Sequence, residues 1–480
     1  MKKILAALLT VSAFVGLNAC KDDNPNPNGG GNKGIDTLSG VYEKDVKLAA
    51  GKTYYISGPA IFRKNSTLTV DPGVVVKAIK GTKACIIITR GSKIQAQGTV
   101  DKPIVFTSNQ AVGARARADW GGIVLCGIAT VNSTHTDGTK RRIVEGFQTG
   151  DVLTEDDILG GGGNNPNDED NSGVLKYVRI EFAGIALSTQ ANSELNALTM
   201  VGVGRGTQID YVQASFGGDD SFEWFGGTVN AKHLISFRGL DDDFDTDNGF
   251  KGKVQFGVAI RDKDVSDSDA NGSSNGFESD NDAAGSDNTP LTAPIFSNMT
   301  IVGPYAINDG ANIPGVNGTP GKNVFARGAH IRLNSQQSVF NSLVIGFPVG
   351  LYLDGDKTIT GAVNGTLDIR NTFVGVAPTA RVSSKVANIT FDINTWIGLA
   401  ARSNNTVLAG IADYKLAKLT GSLNQIDARP VAGSPLLGAA AFTDTKVATG
   451  FDKVTYVGAF AENDTWATGW VNWDPNATNY

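Results

Sequence analysis

Asp219-Asp220-Ser221-Phe222-Glu223-Trp224-Phe225-Gly226-Gly227 returns as Asp241-Asp242-Asp243-Phe244-Asp245-Thr246-Asp247-Asn248-Gly249, 22 residues further on. A weaker echo is Asn275-Gly276-Phe277-Glu278-Ser279-Asp280-Asn281-Asp282. Between the copies lies an alternating run, Lys232-His233-Leu234-Ile235-Ser236-Phe237-Arg238, and Lys253-Val254-Gln255-Phe256-Gly257-Val258-Ala259-Ile260 follows the second. A period in the low twenties, with one apolar run and one Gly/Asp corner, marks a solenoid. One coil cannot bury its own inward face, so coils must stack. The fold class expected is all-β: a right-handed, single-stranded parallel β-helix.

Stacking places equivalent residues one strand spacing apart, roughly 4.8 Å. Phe222, Phe244 and Phe277 then form an aromatic ladder inside. Glu223, Asp245 and Glu278 form a carboxylate ladder on the opposite face, with Asp219, Asp220, Asp241, Asp242 and Asp243 beside it. Like charges at that spacing repel unless a cation lies between them. Calcium, which takes oxygen ligands in irregular geometry, suits such a set. Two other readings stay open. Asp and Asn also serve corners by hydrogen-bonding their own backbone, and the carboxylates could serve catalysis.

The whole chain agrees with a turn-rich β protein. Its 480 residues include 59 Gly and only 3 Met, and one solenoid can use that whole length. A net charge of −6 argues against nucleic acid as a partner. Three His without paired spacing argue against a zinc enzyme. Cys85 and Cys126 sit in apolar flanks and read as buried free thiols.

Taken in order, residues 1–20 read as an export signal: Met1-Lys2-Lys3, then an apolar run too short to span a bilayer. Residues 21–45 read as a tether and lead-in, rich in Asn, Pro and Gly at first. The β-helix is expected over 46–435, with loops near 145–172, 262–275 and 304–322. Residues 436–480, with Trp466, Trp470 and Trp473, are expected to cap an end of the solenoid, where strand edges need cover. Exposed Trp could instead stack on sugar rings.

Four resemblances add to this. Leu17-Asn18-Ala19-Cys20 resembles the lipobox of bacterial lipoproteins, which implies cleavage before Cys20 and its lipidation. Lys21-Asp22-Asp23-Asn24 resembles the surface-export signal of Bacteroidota lipoproteins. The repeats, with Asn341-Ser342-Leu343-Val344-Ile345-Gly346 and Val457-Gly458-Ala459-Phe460, resemble the parallel β-helix lipoproteins of that phylum. Asp241-Asp242-Asp243-Phe244-Asp245 is similar to the calcium-binding coils of β-helix polysaccharide lyases. These resemblances imply an outer-membrane, lipid-anchored protein facing outward. The function expected is binding of extracellular glycan or protein, as an adhesin or as an accessory to outer-membrane transport proteins. The alternative is a lyase acting on acidic glycans, for which Lys232, Arg238 and Lys251 are base candidates.

Overall fold

The computed structural model describes residues 36–480, apart from 148–152, 189–192, 268–272, 309–324, 403–407, 409 and 423–424. The expected export signal, Cys20 and the part of the expected tether over 21–35 lie outside the described residues. No described helix is long and apolar enough to cross a membrane.

Among the described residues twenty-six strands join one sheet, and they pair parallel from one coil to the next. The strands stack as three faces. The first carries Thr67–Val70 on Lys93–Gln97, and the second carries Val75–Ala78 on Ile104–Ser108. The third carries Cys85–Ile88, Ile123–Cys126, Leu198–Val201, Phe222–Phe225, Phe244–Asp247, Phe277–Ser279, Arg327–Ile331 and Val349–Asp354 in succession. The parallel β-helix read from the repeat is therefore the fold. Its first coil begins at Thr37–Tyr42 rather than at Val46, because Leu38 and Val41 already stack on Ile56 and Ile61.

The aromatic ladder is in register: Phe222 faces Phe244 and Phe244 faces Phe277. All three rings are fully buried, with centroids 5.6 and 5.7 Å apart. The strands Gly173–Glu181, Gln208–Ser215, Ala231–Phe237 and Lys253–Ile260 turn from the first face to the second at a single residue. That residue is left-handed in each: Tyr177 (φ 51°), Tyr211 (φ 55°), His233 (φ 51°) and Phe256 (φ 61°). Bulky side chains rarely adopt this conformation. Here the corner rings stack on one another at 4.4, 4.2 and 5.1 Å, which offsets the strain. Further along, the corner passes to Asn298, Asn341 and Asn371, a residue type that tolerates it.

Residues 436–480 do not cap an end. They run back along the side of the helix as a strap. Ala441 bonds Asn341, Asp452 bonds Gln255, and Asn472 bonds Gln213. Tyr480 reaches Glu181 and Lys77. The physical reason lies in the corner amides, whose unused donors and acceptors take the strap backbone. Trp470 is fully buried edge-on to Tyr177 and Tyr211. The end is closed instead by two short helices inside the span expected as coils. Ile359 and Ala362 of Asp356–Asn364, with Ile393, Trp396 and Ile397 of Ile393–Ile397, join the core beyond the last stacked strands.

Candidate carboxylate site on the third face

The third face presents one outward row across the coils. It reads Val41, Ile61, Ile87, Val124, Thr199, then Glu223, Asp245, Glu278, His330 and Tyr352. The apolar part is covered by the segment between Cys126 and Gly173, where Arg142–Ile143 pairs antiparallel with Leu159–Gly160. Val144 and Ile158 pack there on Ile61, Ile87, Val124 and Phe225. Cys85 and Cys126 lie in that layer, buried and free, and burial pushes both thiols up to about 12. In the same segment, Asp168 and Asp170 accept from the backbone of Thr130 and Ile128, and Glu169 pairs with Arg205. These acids secure a loop.

Where the row turns acidic, the corner before each strand carries a second ladder. Asp242 N donates to Asp220 Oδ1 at 2.7 Å, and Asn275 N donates to Asp242 Oδ1. Amides close the set at both ends. Asn196 Nδ2 donates to Glu223, and Asn275 Nδ2 donates to Glu278 at 2.9 Å. Corner hydrogen bonding is therefore part of the answer for Asp220 and Asp242.

It is not the whole answer. One carboxylate oxygen from each of Asp220, Glu223 and Asp245 lies within 4.8 Å of the others, and the same holds for Asp219, Asp220 and Asp241. Asp241 Oδ1 and Asp245 Oδ1 are buried without a hydrogen-bond partner. Burial, then mutual repulsion, holds Asp219, Asp220, Glu223, Asp241, Asp242 and Asp245 well above the usual carboxylate range. Glu145, Glu194 and Asp267 add charge to Asp219 from neighbouring segments. Asp247 is raised to about 7, by burial and then by Asp280.

Two expected members stand apart. Asp243 is enclosed, taken by Ser236 Oγ (2.5 Å) and by Arg261 (3.3 Å). Glu278 is buried, but His330 and Arg332 outweigh that penalty and hold its carboxyl below the usual range. The uncompensated charge therefore sits between the Asp219–Glu223 and Asp241–Asp245 coils, one coil short of the full ladder. An all-oxygen donor set with orphaned buried oxygens fits a hard cation.

The base candidates are scattered. Lys232 lies on the first face and pairs with Asp452 at 2.7 Å. Arg238 is held by Asp262 at 3.1 Å and lies over Phe216. Lys251 is exposed past the end of Phe244–Asp247, its amide bonded to Gly227.

Residues 40–471 match the family model of the pectate-lyase-like beta helix domain. The chain belongs to that family. No curated protein and no solved structure matches it. Within this pectate-lyase-like domain, sequence spacing could have found Asn275, which opens the third echo. Asn196 precedes Asp220 by 24 residues with no matching motif around it. Glu145, Glu194 and Asp267 arrive from irregular segments, where periodicity carries no signal.

Proposed function

We propose that the protein is a lipid-anchored, non-catalytic β-helix on the outer face of the outer membrane, which binds extracellular glycan and is stiffened by calcium. One observation carries the calcium reading. Asp220, Glu223 and Asp245 converge, and no Lys, Arg or His among the described residues forms an ion pair with them. Asp219, Asp241 and Asp242 would supply further oxygens around the same ion. The bound ion would neutralise a charge that the folded chain otherwise relieves only by taking up protons.

A ligand that binds only the folded state stabilises it by roughly 2.7 kcal/mol at about a hundred times its dissociation constant. Calcium is therefore expected to raise the melting temperature, and chelation to lower it. In Asp245→Asn the calcium response should shrink, while stability in chelator holds or rises because one repelling charge is gone. A variant that loses stability in chelator yet keeps the full response would leave the ladder as corner hydrogen bonding alone.

The membrane reading rests on the lipobox-like Leu17-Asn18-Ala19-Cys20. Cys20→Ala is expected to move the protein from the membrane to the soluble fraction, because its acyl chains are lost. Retention of the variant in outer membranes would sink the anchor.

Family membership favours a second reading, calcium-assisted β-elimination on an acidic glycan. The dispersal of Lys232, Arg238 and Lys251 weighs against it. Ultraviolet absorbance from an unsaturated sugar product separates the two readings.

A further inference from the structure

We infer that neutral oligosaccharide binds in a cleft between the strap and the second face, with Trp473 as its platform. The inference rests on the glycan-binding reading and gives it a location away from the carboxylate site. Two cavities adjoin there, of about 540 and 250 Å³. Trp473 lines both, so its indole stands beside the larger one, of about 540 Å³. Such a size falls in the range of small-molecule sites.

The walls have a mixed character. Val258, Ile260 and Phe460 lie buried beneath the cleft, so the half-buried indole of Trp473 supplies the apolar surface. Trp473 is half-buried and is steadied edge-on against Phe237, with ring centroids 5.0 Å apart. Its neighbour Trp470 is fully buried, so these two strap indoles do different work. A pyranose offers an apolar C–H face and a rim of hydroxyls. An indole face beside hydrogen-bonding groups complements both.

Charge selects among sugars. Arg238, Lys263 and Arg429 are the cations of the cleft. Arg238 and Arg429 are already engaged, by Asp262 (3.1 Å) and Asp427 (2.6 Å), and Lys263 lies 2.6 Å from Asp264. Asp464 and Asp474 add further carboxylates. Carboxylates therefore outnumber cations, and a polyuronate would meet repulsion. Hydroxyl groups of a neutral chain would find acceptors instead.

The test uses the full chain with calcium present, titrated with gluco-, manno- and xylo-hexaose and with hexagalacturonate by calorimetry. At least one neutral hexaose should bind, and Trp473→Ala should weaken it roughly tenfold or more. Ser422→Trp should do the same, by filling the wider cavity from an exposed position while leaving Trp473 in place. Both variants should keep the calcium response of their melting temperature. Unchanged hexaose binding in Ser422→Trp would remove the cleft and leave the glycan reading standing. Preference for hexagalacturonate would overturn the charge argument. A wild type that binds none of the four would overturn the glycan reading itself.

Discussion

Phe244→Ala is expected to lower the unfolding free energy by about 3–5 kcal/mol, the usual penalty for emptying a buried Phe site. The ring is fully buried and lies between Phe222, stacked nearly parallel at 8°, and Phe277. It also approaches Phe296 at 6.3 Å. Collapse cannot easily fill the gap, because the strand spacing that separates the three rings is fixed by the parallel ladder. The midpoint of chemical unfolding reads the effect. A loss below about 1 kcal/mol would mean that the ring is not held in the core. Side chains alternate along a strand, so that result would also put Asp245 on the wrong face.

The second large effect is a pH dependence of unusual sign. In chelator, thermal stability should rise as the pH falls from neutrality toward 5. The cluster carboxyls have folded values above the ordinary range, reaching about 7 for Asp247 and about 6 for Asp280. In the unfolded chain the same groups titrate near ~4. Between these limits the folded state binds more protons, so acid favours it, and that contribution is lost as pH rises through the folded values. Groups held below the ordinary range, such as Asp282 and Asp356, change their contribution only nearer ~4 and below. Calcium should flatten or invert the slope, because protons then compete with the ion. Replacing Asp220, Glu223 and Asp245 together by their amides should make the slope in chelator shallower, leaving the part carried by Asp247, Asp280 and the other buried carboxyls. A wild type that loses stability steadily on acidification in chelator would refute the account.

Both predictions rest on registers legible in the sequence. The repeat at 22 residues fixes Phe222 over Phe244 and Glu223 over Asp245, and the weaker echo adds Phe277 and Glu278. What could not be read were relations set by distant segments. Asp243 has the same residue type as its neighbours, yet Arg261 takes it into the interior. Glu278 continues the ladder in position but not in charge balance, because His330 and Arg332 come from the next coil. The strap looked like a cap because tryptophans near a chain end suit either role. Its direction depends on corner residues such as Asn298 and Asn341, whose left-handed backbone leaves no periodic mark in hydropathy.

The strap also changes when the fold can be finished. A stack of coils can assemble from its first repeat as the chain emerges, since each coil needs only its neighbours. Here an early coil waits for residues made far later. Lys77 donates to the main-chain oxygen of Tyr480 across 403 positions of sequence, and Arg115 donates to Pro475 and Thr478. Buried Glu181 accepts from the Tyr480 hydroxyl at 2.6 Å, a partner synthesised 299 residues later. Until those residues emerge, the nascent helix carries an uncovered seam of corner rings and amides along its length. Closing that seam couples both halves of the chain, and without residues 470–480 its stretch over Tyr177 and Tyr211 would stay open.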